Sequence, residues 1–105
     1  MKVSGLERDV IIEKREENLV RIRVRGETHT LGNLIAKELQ RREDVELAYY
    51  NIEHPLERSF VLLIRTKKGR DPLEVLQDSL RSLREKLDRL EEVVRGALKG
   101  GQARG

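Results

Sequence analysis

Residues 71–94 read DPLEVLQDSLRSLREKLDRLEEVV, and this stretch decides the fold because it predicts one long helix with a single narrow apolar stripe. Asp71 suits the N-cap, Pro72 suits the first helical position, and Glu74 completes a capping box. Apolar residues then recur at alternating steps of three and four, the heptad spacing of a helix that packs along a partner helix. We call these residues the seam: Leu73, Leu76, Leu80, Leu83, Leu87, Leu90 and Val94.

The predicted helix is longer than the sheet that can support it. The seam spans about 32 Å at a rise of about 1.5 Å per residue, whereas a strand of about seven residues spans roughly 23 Å. We therefore expect part of the helix to project beyond its own sheet and to bury its leucines on another chain. The alternative is a helix that lies wholly on its own sheet. The glycines from Gly96 onward are expected to end the helix, which gives a domain at residues 1–95 and a flexible tail at residues 96–105.

Upstream of this helix, the sequence predicts two strands, a helix and two further strands. In residues 19–25, β-branched residues alternate with three arginines, a pattern typical of a half-buried antiparallel strand. We interpret the arginines as a solvated sheet face, with a phosphate-binding stripe as the alternative. Residues 45–52 predict the third strand, and Pro55 lies in the connection that follows. Residues 59–66 form the most apolar run, which predicts a central strand.

The first helix is predicted between these two pairs of strands. Thr28 or Thr30 can serve as its N-cap. Gly32 is unexpected in a first turn, where glycine costs up to about 1 kcal/mol relative to alanine. Either the helix begins after Gly32 or another backbone comes close there. The apolar face of the helix has the i, i+3, i+4, i+8 spacing and consists of Leu31, Leu34, Ile35 and Leu39.

Composition limits the possible classes of protein. The chain has 105 residues, of which 39% are charged, 37% hydrophobic and 3% aromatic, so it can form one domain with a small core. The net charge of +3 comes from intermingled charges, which do not indicate a dedicated nucleic-acid binder and are typical of heat-adapted proteins. We therefore predict a thermophilic source. The sequence lacks cysteine, a signal-like start and any apolar run of about 18 residues, so we expect a cytoplasmic protein.

No catalytic constellation is predicted. His29 and His54 lie at element boundaries, and neither has a neighbour at metal-ligand spacing. The cluster around His29 contains hydroxyl groups, but no nucleophile has an evident base and orienting group. Helix capping or an interface hydrogen bond explains His29 more simply. We predict no catalytic residue, no metal ligand and no cofactor.

Residues 27–34, ETHTLGNL, are close to the EDHTLGNL motif of the subunit L family, the small assembly subunits of archaeal RNA polymerases. The eukaryotic counterpart of this family is the eleventh subunit of polymerase II, and the dimerisation domain of the bacterial alpha subunit is related to it. Residues 54–56 are similar to the HPL turn of the family, and the resemblance covers roughly residues 6–94. The chain departs from the family pattern at Thr28, often an aspartate, and at Tyr49, commonly a glycine.

The resemblance implies a two-layer β-β-α-β-β-α fold of the α+β class, with a four-stranded, mainly antiparallel sheet and a long C-terminal amphipathic helix. It also implies a non-catalytic subunit of DNA-dependent RNA polymerase that forms a heterodimer with the alpha-like D subunit, the platform on which the large catalytic subunits assemble. We expect contacts with other polymerase subunits at the turn, and no membrane or base-specific nucleic-acid contact. Besides the seam, the interface residues that the resemblance implies are His29, Thr30, Leu31, Gly32, Asn33, Leu34, His54 and Pro55.

Other functions remain open at this stage. A stand-alone homodimeric interaction module would use the same seam. A basic DNA-binding protein would show an affinity that falls steeply with salt. An enzyme is a further alternative, but a related fold supports a dehydratase only with several histidines, and this chain has two.

Overall fold

The computed structural model describes residues 9–26, 29–53 and 56–100, and its elements follow the expected order. One sheet is covered on one face by two helices, and side chains from both layers form a single core. This arrangement confirms the predicted two-layer α+β fold. The elements are β1 (Val10–Glu16), β2 (Leu19–Arg25), α1 (His29–Gln40), β3 (Val45–Asn51), β4 (Ser59–Thr66) and α2 (Pro72–Gly100).

The sheet has the strand order β1-β2-β4-β3, and each neighbouring pair is antiparallel. The prediction that the most apolar strand is central is confirmed, because β4 lies between β2 and β3. Phe60, Leu62 and Ile64 are alternate residues of this strand, so their side chains share one face. That face points into the core, and the three residues are at most 2% exposed. Val61 is also buried, although it belongs to the opposite face, so β4 is covered on both sides along part of its length.

The face of β2 that points away from the helices carries an ion-pair network. Arg21 and Arg23 each bind two glutamates, Glu13 of β1 and Glu53, which follows β3. Hydrogen bonds from Arg23 and Arg21 lower the pKa of both carboxyl groups. The negative charges of the two carboxylates therefore balance the positive charges of the two guanidinium groups. This balance favours the predicted solvated face over a phosphate-binding stripe.

The N-terminal half of α1 explains the glycine of the sequence motif. The helix begins at His29, so Thr30 is its second residue and not the N-cap, while Thr28 lies outside the described residues. A Cβ atom on Gly32 would lie 2.9 Å from Cδ2 of Tyr50 and 3.3 Å from Cγ of Phe60. Both alternatives offered for Gly32 were therefore wrong: the helix begins before it, and the groups that come close are two aromatic rings of the chain's own sheet, not another backbone.

The start of α2 confirms the predicted cap. Oδ1 of Asp71 accepts a hydrogen bond from the backbone N–H of Leu73 at 3.0 Å, which satisfies an amide that the helix itself leaves unpaired. The N–H of Val75 donates to the carbonyl of Asp71, also at 3.0 Å, which closes the first turn. Pro72 is buried at the first helical position.

The end of α2 was predicted wrongly. The helix was expected to end before Gly96, but it continues to Gly100, for a length of 29 residues. The glycines at 96 and 100 are separated by good helix formers, and one glycine costs only about 1 kcal/mol relative to alanine. The hydrogen-bonded ladder therefore continues through Gly96. Residues 101–105, which belong to the expected flexible tail, lie outside the described residues.

Gly32→Ala is expected to lower the free energy of unfolding by about 1–3 kcal/mol, because the added methyl group displaces core rings. Gly96→Ala is the matched control, since a Cβ atom there meets nothing within 4 Å. That substitution should raise stability by up to about 1 kcal/mol through helix propensity alone. Urea denaturation followed by circular dichroism measures both changes. A stabilising Gly32→Ala would contradict the packing described above.

Candidate protein-docking surface

The long helix α2 divides into two parts with different surroundings. Residues 72–83, which we call the root, pack on the body of the domain, with Val75 and Ser79 fully buried. Residues 84–100, which we call the projecting half, are all exposed. The expectation that part of the helix projects beyond its own sheet is confirmed, and the longest dimension of the molecule is 51 Å.

The seam is divided between these two parts. Leu73, Leu76 and Leu83 are partly buried and pack against the chain's own core. The other seam residues are exposed by 42% to 59% of their surface: Leu80, Leu87, Leu90 and Val94. Sequence reasoning missed Val93 and Leu98, which flank the seam on the projecting half and are even more exposed. Their apolar character was visible in the sequence, but they fall outside the a and d positions of the heptad.

Further exposed apolar side chains lie on the helix-bearing side of the sheet. Val10 and Ile12 of β1 are 43% and 51% exposed, and Ile12 pairs directly with Ile22, which is part of the core. They share the core face but are uncovered, because the helices contact β2, β3 and β4. Sequence analysis did not single them out, since only the strand order places β1 at an edge. Leu34 of α1 is 43% exposed on the same side.

We call this set of side chains the docking surface. Each is a large apolar group with at least two fifths of its surface exposed. Monomeric proteins rarely expose so many apolar side chains together, and such patches are typical of protein–protein contacts. The members are Val10, Ile12, Leu34, Leu80, Leu87, Leu90, Val93, Val94 and Leu98.

The motif residues of α1 fall into two groups. Thr30, Asn33 and Leu34 are exposed, whereas Leu31 and Gly32 pack within the domain. The side chain of His29 and the residues His54 and Pro55 lie outside the described part. The motif therefore combines residues of the core with residues available for contact.

One ion cluster fixes the root of α2 to the body, and sequence reasoning did not predict it. Both Oδ atoms of Asp44 accept hydrogen bonds from Arg42, at 2.9 and 3.0 Å, and Oδ2 also accepts one from Nε of Arg70 at 3.0 Å. Both arginines also lie within 4 Å of Asp78 in the root. The hydrogen bonds from Arg42, together with the one from Arg70, outweigh burial and lower the pKa of Asp44 to about 2.

A second polar contact joins the two helices. The carboxylate of Glu38 on α1 accepts hydrogen bonds from Oγ of Ser82 at 3.0 Å and from Nζ of Lys86 at 3.0 and 3.2 Å. The Glu38 side chain is only 11% exposed. Burial by itself raises the pKa of Glu38, but the hydrogen bonds from Lys86 and Ser82 together outweigh it, so the pKa is lowered.

Within residues 9–26, 29–53 and 56–100, no three acidic, histidine or cysteine side chains are grouped so that they could hold a metal ion. None of the helices in that part of the chain is long and apolar enough to cross a membrane.

Comparison with known proteins identifies the family. The sequence model of the RNA polymerase Rpb3/Rpb11 dimerisation domain family matches residues 19–93. The chain belongs to this family. The DNA-directed RNA polymerase subunit Rpo11 of Korarchaeum cryptofilum is 41% identical over 83 residues, which cover 79% of this chain and 83% of that protein. Rpo11 of Metallosphaera sedula is 38% identical over 89 residues, which cover 81% of this chain and 99% of that protein.

A solved structure has the same fold. The crystal structure of DNA-directed RNA polymerase subunit L from Thermoplasma acidophilum superposes with a TM-score of 0.76, covering 86% of this chain and 88% of that one at 20% identity. Such a low identity supports the fold and nothing finer. Together with the relatives, it confirms the resemblance to the subunit L family that the ETHTLGNL motif indicated.

Asp44→Asn is expected to lower the free energy of unfolding at neutral pH by about 1 kcal/mol, because it removes a charge that two arginines bind. The pKa of Asp44 is lower in the folded chain, so its contribution is complete above the ordinary value of 3.8 and is lost as the pH falls toward about 2. The variant should therefore lose less stability than the wild type between about pH 5 and about pH 2.5.

Urea denaturation at these two pH values measures the difference in slope. Asp88→Asn, at an exposed position of the projecting half, controls for the loss of one negative charge. An acid dependence of the Asp44→Asn variant identical to that of the wild type would show that Asp44 does not anchor the root.

Proposed function

We propose that this chain is a non-catalytic assembly subunit of DNA-dependent RNA polymerase that forms a heterodimer with the alpha-like D subunit. That heterodimer would be the platform on which the large catalytic subunits assemble. Membership of the Rpb3/Rpb11 dimerisation-domain family supports the proposal. The observation that carries it is the docking surface, above all the projecting half of α2, whose apolar side chains have no cover within the described residues.

The energetics of the projecting half favour a partner. Most helical stability in proteins comes from packing of an apolar face, and the projecting half has no such packing within the described residues. Full burial of one leucine or valine side chain stabilises by about 1.5–3 kcal/mol. The large apolar residues of the projecting half are still 48% to 77% exposed, so much of this stabilisation is not yet realised. A partner that covers Leu87, Leu90 and Val94 would supply this missing packing.

The shape of the surface indicates the kind of partner. The exposed seam residues form a narrow stripe along a helix, which fits an amphipathic helix laid alongside. Arg84 and Glu91 border the stripe at the heptad positions that carry interhelical ion pairs. A partner helix with complementary charges beside its apolar stripe would satisfy both. Val10 and Ile12 would extend the contact to the partner's body.

The turn after β3 is proposed to contact other polymerase subunits. Leu56 is fully exposed, and Glu53, which precedes the turn, is held by two arginines of β2. The residue that leads into the turn is therefore held in place on the sheet.

Leu80→Glu is expected to weaken binding of the D subunit by at least tenfold, which is about 1.4 kcal/mol, because a carboxylate would be buried among apolar groups. Leu47→Glu is the matched control, since Leu47 is 41% exposed, Leu80 is 42% exposed, and Leu47 lies outside the docking surface. Biolayer interferometry with immobilised D subunit measures both affinities. Gly32→Val is a less suitable test, because Tyr50 and Phe60 leave no room for a side chain there.

Two outcomes would refute parts of this function. Undiminished binding by Leu80→Glu would remove the seam from the interface. A stable homodimer that is indifferent to the D subunit, measured by light scattering with size exclusion, would instead support a stand-alone homodimeric module. Co-purification of the tagged chain with the native polymerase tests the assembly role itself.

A further inference from the structure

The last hydrogen bonds between α2 and the rest of the described subunit converge on one carboxylate. Glu38 of α1 binds Ser82 at the end of the root and Lys86 at the start of the projecting half. Beyond Lys86, the ion pair that α2 forms joins two of its own residues, Glu91 and Arg95. Glu38 therefore lies where the helix leaves the body.

We propose that Glu38 is a positioning residue of the docking surface, which fixes the direction in which the projecting half of α2 leaves the body. The proposal rests on the function proposed above, because it concerns how the same surface is presented to the partner. Glu38 acts through Ser82 and Lys86 and need not touch the partner itself.

The geometry of the contact suits this role. Ser82 and Lys86 are four residues apart, so they lie on one face of α2 in successive turns. Binding both of them to one carboxylate is a two-point attachment, which restrains both the rotation and the tilt of the helix. The side chain of Glu38 is only 11% exposed, so water competes poorly for its hydrogen bonds, which are therefore stronger than those of a fully exposed pair.

Because the projecting half is long, a small change in its direction at Lys86 displaces its tip by several ångströms. From Lys86 to Gly100 the helix extends about 21 Å, so a change of roughly 10° in its direction moves the tip by about 4 Å. Such a shift would move Leu90, Val94 and Leu98 out of register with a preformed partner groove. If the direction of the projecting half is fixed before the partner binds, binding does not have to supply the free energy of ordering that helix.

The fold itself does not depend on this contact. The root is already held by the buried Val75 and Ser79 and by the ion cluster around Asp44 and Asp78. These contacts precede the Glu38 contact along α2. Loss of the carboxylate should therefore change the direction of the projecting half more than the stability of the domain.

The experiment measures this direction in the full chain. Because the chain has no cysteine, spin labels can be attached at Glu46→Cys on β3 and Glu92→Cys on the projecting half, both exposed positions. Pulsed electron–electron resonance then gives the distribution of distances between the labels. Glu38→Gln should widen this distribution about twofold, and Lys86→Met, which removes one donor, should widen it as well. In unlabelled chains, Glu38→Gln should weaken D-subunit binding about fivefold.

Two further variants separate positioning from general effects. Glu16→Gln makes the same charge change at an exposed ion pair with Lys14 and should leave both readouts unchanged. The charge swap Glu38→Lys with Lys86→Glu should restore the narrow distribution and most of the affinity, which a purely structural role of Glu38 would not predict. An unchanged distribution in both Glu38→Gln and Lys86→Met would overturn the proposal, as would a swap that restores neither readout. A wild-type chain that fails to bind the D subunit would refute the proposed function, whereas the distance measurement would still report on Glu38.

Discussion

The structure depends on one constraint: α2 has 29 residues, and the sheet and α1 can cover only its root. The root supplies Val75 and parts of Leu76 and Leu83 to the core, so the helix cannot detach without opening the domain. The projecting half continues the same hydrogen-bonded ladder into solvent. A rigid apolar stripe therefore extends from a small domain whose own core is modest.

The polar contacts that hold α2 lie around its root, where the helix is attached to the domain. The cluster around Asp44 joins the end of α1, the loop before α2 and the root itself, and Glu38 joins the two helices one turn later. In a chain with 39% charged residues, these pairs differ from ordinary surface pairs because they are partly buried and share hydrogen bonds. They hold a long helix that apolar packing secures only at one end. On the opposite face of the sheet, the arginines of β2 likewise hold a neighbouring segment in place, because they bind Glu53 ahead of the turn.

Much of this could be predicted from particular residues. The alternation in β2, the apolar run of β4 and the cap at Asp71 are local patterns, and each forms the element it predicts because neighbouring residues determine it. The end of α2 was missed because Gly96 was given more weight than the helix formers around it. Gly32 was recognised as unusual, but its cause was not, since the rings of Tyr50 and Phe60 come from strands distant in sequence.

The sequence by itself determined the family, the order of the elements and the existence of an apolar stripe longer than its sheet, because motif and periodicity are properties of consecutive residues. Only the tertiary structure decided which part of the stripe remains exposed, and it added Val10 and Ile12 through the strand order. It also decided that Glu38, one of many glutamates in the sequence, meets two residues of α2. Contacts of this kind depend on the crossing of elements, and no local pattern in the chain encodes where two helices cross.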